Sequence, residues 1–196
     1  RQGRNTLIAA GVYGTRVSLQ TIVTDIPCAR ADDGERGLDE RCLNCHACMD
    51  ACPTKALRGD GTLDIARCVR AQPESLPLPE TMRPLTGASL LGCDLCQRVC
   101  PRNAAVEPID IPPDVKKALS LEGLLSGAYK AFIPLIGRNN ARKLRLLNRA
   151  ALAAAHRNRK DLLPLLEALT QLPEPVSTHA RWAIERLREK TCNEQI

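Results

Sequence analysis

Apolar residues recur with helical spacing along the last third of the chain. Each of three groups falls on one face of a helix with about 3.6 residues per turn. The groups are Leu144, Leu147 and Ala151; Leu162, Leu165, Leu166 and Leu169; and Ala180, Ala183, Ile184 and Leu187. The loop before the third group contains Pro173, Pro175 and Ser177. The pattern predicts three amphipathic helices with short connections, at a spacing that suits a small HEAT-like cap of stacked helical repeats.

The pattern is different near the beginning of the chain. Residues 17–26, VSLQTIVTDI, are rich in β-branched side chains that alternate loosely with polar ones, and Asp25-Ile26-Pro27 follows as a turn signal. This predicts a β-strand. Residues 29–40 predict a charged loop, and the Pro-dense segment 108–114 predicts a linker. We therefore expect an α+β chain divided at 1–40, 41–107 and 108–196.

The central segment is defined by cysteines. Cys42, Cys45, Cys48 and Cys52-Pro53 spell C-x2-C-x2-C-x3-C-P, the run in which three cysteines bind one 4Fe-4S cluster and the fourth binds a neighbouring cluster. A second group, Cys93, Cys96 and Cys100-Pro101, ends in the same way but has Leu90 where a two-cluster ferredoxin would place a further cysteine. Cys68 is the available substitute.

Crossed ligation then uses eight of the ten cysteines. The first cluster site is predicted to be Cys42, Cys45, Cys48 and Cys100, and the second to be Cys52, Cys68, Cys93 and Cys96. Cys28 is interpreted as a small buried apolar residue and Cys192 as a thiol in a polar tail. The alternative for the paired C-x2-C groups is a structural zinc site, which has no need of the longer run.

The spacing of the same cysteines also indicates whether the protein works in an oxidising or a reducing environment. A chain of 196 residues with ten cysteines could be a secreted disulfide scaffold, but the tight groups followed by proline are typical of thiolate–metal sites in a reducing cytoplasm. No stretch reaches the roughly 20 apolar residues that cross a bilayer. We expect a cytoplasmic monomer without a membrane partner.

Charge is distributed unevenly along the chain. The net charge is +6, and residues 113–196 hold 15 basic and 8 acidic residues. Residues 138–160 contain no acidic side chain, and Arg142, Arg145 and Arg149 share one helical face. Such a stripe could bind the phosphates of a nucleic acid. The alternative is a solvated helix face, since aromatic residues for base stacking make up only 2% of the chain.

The cysteine block resembles epoxyqueuosine reductase, a cobalamin-dependent iron-sulfur enzyme. The likeness is carried by CPT at 52–54, LDIARC at 63–68, RPLTG at 83–87 and GCDLCQRVCPRN at 92–103. Upstream, GRNTLI, YGTRV and TDIP look like the end of its corrinoid-binding domain. Downstream, LLNRAALAAA and ARWAIERL look like its helical-repeat cap.

The resemblance implies a function and its cofactors. Two 4Fe-4S clusters would take electrons from a low-potential donor such as flavodoxin or ferredoxin and pass them to cobalamin, which reduces epoxyqueuosine to queuosine in tRNA. The acidic proton donor is expected upstream of Arg1, so the chain is expected to be a portion or a truncated paralogue. The alternative is a stand-alone two-cluster electron carrier that serves another corrinoid-dependent reductase.

Overall fold

The computed structural model describes residues 1–27 and 37–192. Cys28 and most of the predicted loop at 29–40 therefore lie outside the described residues. The α-helices are α1 (Ala47–Ala51), α2 (Leu95–Arg98), α3 (Pro113–Ala118), α4 (Leu121–Leu125), α5 (Ile133–Asn140), α6 (Lys143–His156), α7 (Leu163–Leu169) and α8 (Val176–Cys192). Short 3-10 helices span Gly11–Tyr13, Glu40–Cys42, Glu80–Leu85, Pro101–Asn103, Ala128–Phe132 and Lys160–Leu162. Within the described part, no helix has the length and apolar character needed to cross a bilayer.

The chain divides into two compact units. The N-terminal unit is Arg1–Cys68 with Asp94–Pro108, and the helical unit is Val69–Cys93 with Ile109–Ile196. The segment between Cys68 and Cys93 thus packs with the helices, although it separates two predicted cluster ligands. The division at 1–40, 41–107 and 108–196 stays a prediction.

The helical unit is built around a continuous apolar core. Helix α6 carries a run of alanines, which favour the helical state and let neighbouring helices approach closely. It packs against α4 and α8, and α7 packs against α8. Leu124, Leu146, Leu166 and Leu187 are fully buried there. The three helices expected from the sequence are confirmed as α6, α7 and α8. Leu144, predicted on the apolar face of the first, is instead 45% exposed, and Leu162 lies in the 3-10 helix before α7.

The predicted strand at 17–26 is wrong. Residues 17–25 have no regular secondary structure, and the described residues contain only isolated bridges, such as that between Leu57 and Leu63. Ile22 and Val23 are 86% and 95% exposed. A β-propensity becomes a strand only when a neighbouring segment supplies hydrogen-bond partners, and no described segment forms a bridge with this one. The described fold is therefore mostly helical rather than α+β.

Candidate iron-sulfur centre

Four cysteines from two separate motifs line one cavity of the N-terminal unit. Cys42, Cys45 and Cys48 come from the first motif, and Cys100 comes from the end of the second. Cys42 ends a 3-10 helix, Cys48 lies in α1, and Cys100 immediately precedes Pro101. The fold thus brings together the four residues that the crossed arrangement assigns to the first cluster site.

The thiols of this site interact electrostatically. Burial raises the pKa of Cys48, and the neighbouring Cys100, Cys42 and Cys45 raise it further, although the N–H group of Met49 opposes the shift. Several thiolates facing each other at one cavity repel, and a bound cationic centre removes that repulsion. This set of donors suits iron, which is bound in such clusters by four thiolates.

Polar side chains surround the four cysteines. Arg4, Asn5 and Arg102 line the same cavity. Arg102 forms an ion pair with Asp39 at 3.4 Å, with both side chains 13% exposed. Asn5 donates from Nδ2 to the carbonyl of Cys96 at 3.4 Å. Arg4 also donates to the carbonyl of Leu43 at 2.9 Å, so the N-terminal residues are attached to both cysteine motifs.

Asn103 provides a second attachment between the beginning of the chain and the second motif. Its Oδ1 accepts from the N–H of Thr15 at 2.7 Å, and its Nδ2 donates to the carbonyl of Gln97 at 2.7 Å. Asn103 is buried, so its amide groups need these partners. Nothing in the cysteine spacing indicated the roles of Asn5, Thr15 or Asn103. Their only sequence signal was their place in the segments that resemble epoxyqueuosine reductase.

Cys52, assigned to the second cluster site, is surrounded by hydrogen-bond donors. The N–H of Ala56 donates to its Sγ at 3.3 Å, and the Thr54 hydroxyl lies 3.7 Å from the same atom. Burial alone would raise the pKa of the Cys52 thiol, but these groups and the N–H groups of Thr54 and Leu57 bring it below its usual value. Hydrogen bonds to the sulfur therefore favour the thiolate that a cluster requires.

The other members of the second site lie in different units. Cys68 and Cys96 belong to the N-terminal unit with Cys52, whereas Cys93 belongs to the helical unit. All eight motif cysteines are thiols rather than disulfides. The grouping of Cys52, Cys68, Cys93 and Cys96 as one ligand set stays a prediction.

The choice between zinc and iron rests on the cysteine spacing. Across residues 1–27 and 37–192, no group of three or more His, Cys, Asp or Glu side chains is arranged to hold a single metal ion. The run that ends in Cys52-Pro53 is typical of 4Fe-4S clusters, and a structural zinc site has no need of it.

The arginine stripe at the start of α6 is not uniform. Arg142 is exposed and lies within 3.4 Å of the Asn139 side-chain oxygen. Arg145 forms an ion pair with Glu74. Arg149 is turned inward and donates to the carbonyl of Val69 at 3.2 Å. Of these three arginines, Arg142 presents the most accessible charge to an external phosphate.

Known proteins share both the cysteine segment and the fold of the whole chain. Residues 41–103 match the family model described as a 4Fe-4S double cluster binding domain. The chain is 31% identical to the epoxyqueuosine reductase of Bacillus subtilis over 98% of its own length and 52% of that protein. It is also 31% identical to the epoxyqueuosine reductase of Lactococcus garvieae, over 96% of the chain and 55% of the relative.

Solved structures give the same result. The Bacillus subtilis epoxyqueuosine reductase structure matches with a TM-score of 0.71 and 29% identity, over 95% of this chain and 52% of that one. An epoxyqueuosine reductase bound to an epoxyqueuosine-modified tRNA-Tyr stem loop matches with a TM-score of 0.65 and 27% identity, over 95% and 51%.

The motifs, the first cavity and the family match define a protein with a double 4Fe-4S cluster binding domain. Epoxyqueuosine reductases are homologues of this chain at about 30% identity over most of its length, which confirms the resemblance noted in the sequence. The chain spans about half the length of the curated relatives it matches.

Proposed function

We propose that this chain is the electron-transfer portion of an oxidoreductase of the epoxyqueuosine reductase type. Its eight motif cysteines would hold two 4Fe-4S clusters, and these would supply single-electron transfer from a low-potential donor to the reducing centre. The observation that carries the proposal is the cavity shared by Cys42, Cys45, Cys48 and Cys100. It supports crossed ligation because it brings Cys100 of the second motif beside three cysteines of the first.

The protein's own residues bind and position the clusters. Cys42, Cys45, Cys48 and Cys100 hold the first cluster, and Cys52, Cys68, Cys93 and Cys96 hold the second. The N–H groups around Cys52 offset negative charge on its sulfur. Because each motif contributes a ligand to the other motif's cluster, the two clusters lie close together, as transfer of an electron between them requires.

The similarity to epoxyqueuosine reductases supports cobalamin and tRNA as further partners. Cobalamin would supply the reducing nucleophile when it is bound. A relative has been solved with an epoxyqueuosine-modified tRNA stem loop. We propose that the protein acts as a monomer in the cytoplasm on epoxyqueuosine in tRNA. We also propose that the helical unit is a HEAT-like cap that binds tRNA through Arg142. Arg145 and Arg149 are less accessible members of the same stripe.

Anaerobic reconstitution tests the proposal. The protein should contain about eight irons and eight sulfides per chain and, after reduction with dithionite, should give the EPR signals of reduced 4Fe-4S clusters. Zinc without iron would contradict it. Addition of base-off cobalamin then separates two outcomes: corrinoid binding with reduction supports the reductase, whereas fast cluster reduction without corrinoid binding supports a stand-alone electron carrier.

Binding of tRNA is tested separately with Arg142→Gln. Phosphate contacts predict that affinity falls steeply as salt rises and that the variant has a shallower salt dependence, by about one unit of slope for one lost contact. Equal slopes for the variant and the wild type would contradict a role for Arg142.

A further inference from the structure

The helical unit contains a half-buried arginine, Arg149, whose role the proposed function leaves open. Arg149 projects inward from α6, and its Nη2 donates to the carbonyl of Val69, the residue that follows Cys68. Its Nη1 is buried and has no hydrogen-bond partner in the described part of the chain. A buried guanidinium with an unused donor is costly unless negative charge is nearby.

A second arginine lies on the chain segment that leads to Cys93. Arg70 donates to the carbonyl of Leu91. Gly92 has a φ of +100°, and a Cβ at this position would lie 2.7 Å from the Nη1 atom of Arg70. The Arg70 side chain therefore passes directly against the backbone of Gly92, next to the predicted ligand Cys93.

The charges near Arg149 influence one another. Burial lowers the pKa of Arg149, and the neighbouring Arg70 lowers it further, whereas the Cys93 thiolate and the Glu74 carboxylate raise it. Arg149 contacts the residue that follows Cys68, and Arg70 contacts the two residues that precede Cys93. The helical unit contains Arg70, Glu74, Cys93 and Arg149.

We propose that Arg149, assisted by Arg70, raises the reduction potential of the cluster bound by Cys93. This inference rests on the proposed function, because it requires the second cluster to be present. Adding one electron from a low-potential donor makes a cluster more negative, and net charge, hydrogen bonding and solvent exposure set its potential. A fixed positive charge in a poorly solvated position stabilises the reduced form.

Neutralising Glu74 should shift the reduction potential of the same cluster in the opposite direction. It forms an ion pair with Arg145 and is 31% exposed. Glu74, Arg145 and Arg149 also line one small pocket. Neutralising Glu74 removes negative charge beside the arginines, and the potential of the same cluster should therefore rise.

The test is an EPR-monitored redox titration of the reconstituted protein without tRNA or cobalamin. Arg149→Gln keeps an amide that can donate to Val69 but loses the charge. At fixed potential, its reduced-to-oxidised ratio for one cluster should fall about tenfold, which is a shift of about 59 mV for a one-electron couple. The other cluster should shift less. Lys143→Gln, an exposed change on the same helix, is the matched control and should leave both potentials unchanged.

Two further variants keep the outcome decisive. Arg149→Lys retains the charge and should restore most of the lost potential, and Glu74→Gln should shift the same cluster upward. Eight irons with unchanged potentials in both Arg149→Gln and Glu74→Gln would overturn the inference while leaving the proposed function intact. If Arg149→Gln loses iron, Glu74→Gln decides alone, and a downward or absent shift overturns the inference. Absence of iron in the wild type would instead overturn the proposed function.

Discussion

The two units are stabilised by different means. In the described part of the N-terminal unit, the buried apolar side chains are Ala9, Cys48, Ala56 and Leu57, and about as many buried residues are polar, including Asn5 and Asn103. In the helical unit, leucines and alanines from several helices form one core. The N-terminal unit buries little of its apolar surface, and many of the groups that it does bury are polar and joined to the cysteine motifs.

This difference assigns separate tasks to the two units. Small domains that lack a sufficient apolar core commonly depend on a metal centre for stability. The thiols at the first cavity lie where such a centre would connect the first motif to Cys100. We therefore expect the N-terminal unit to need its clusters in order to fold, whereas the helices should form without them.

The largest expected effect comes from Cys48→Ser. Cys48 is the buried member of the first site, and its loss should remove the first cluster, or about four of eight irons. Amide hydrogen exchange should show lost protection in the N-terminal unit, while the far-UV circular dichroism of the helices persists. Cys192→Ser, outside both motifs, is the control. Full iron content in Cys48→Ser would refute the ligand assignment, and collapse of the helical signal would refute the contrast between the units.

A core substitution tests whether the helical unit is stabilised by its apolar core independently of the clusters. Leu146 is fully buried in α6, whereas Leu144 on the same helix is 45% exposed. Leu146→Ala should lower the free energy of unfolding of the helices by about 2–5 kcal/mol, measured by denaturant titration with circular dichroism. Leu144→Ala should change it by less than about 1 kcal/mol. Equal effects, or loss of the first cluster in Leu146→Ala, would show that the units do not behave independently.

The sequence was most informative where the spacing of residues directly determines the structure. The leucine and alanine spacing of α6 and α8 specifies a buried face, and the cysteine spacing of Cys42, Cys45 and Cys48 specifies a cluster loop. The strand predicted at 17–26 was wrong because β-propensity depends on local sequence, whereas a strand forms only when it pairs with another segment. The inward direction of Arg149 was also inaccessible, because helical periodicity assigns a residue to a face but does not say which long side chains are covered by segment 69–93.

The pH dependence of stability provides a smaller test of the helical unit. Burial, with nearby Arg83 and Arg149, lowers the pKa of His179 to about 4, although Glu174 opposes the shift. Its neutral ring accepts at Nε2 from the N–H of Leu78 at 2.9 Å and lies 3.0 Å from the Asn148 oxygen at Nδ1. The folded state thus resists protonation.

Because the folded pKa is below the unfolded value, the stabilisation by neutral His179 is complete above about pH 6.5 and decreases towards pH 4. The total loss should be at most about 3 kcal/mol. Unfolding followed by circular dichroism across this range should show a steeper pH dependence in the wild type than in His179→Gln. Parallel curves would show that the ring does not couple protonation to folding.

The last expected effect concerns the turn at Gly14 in the N-terminal unit. Gly14 has a φ of +58°, and a Cβ would lie 2.4 Å from the carbonyl oxygen of Arg102 and 2.1 Å from Oδ1 of Asn103. Gly14→Ala should cost about 1–3 kcal/mol and speed the release of iron to a chelator, because the turn is attached to the residues that follow Cys100. Gly11 also has a positive φ, of +43°, but no described atom lies within 4 Å of the place that a Cβ would take there. Gly11→Ala therefore separates backbone strain from steric clash, and iron release that is equally fast in both variants would mean that contact with Arg102 and Asn103 contributes nothing.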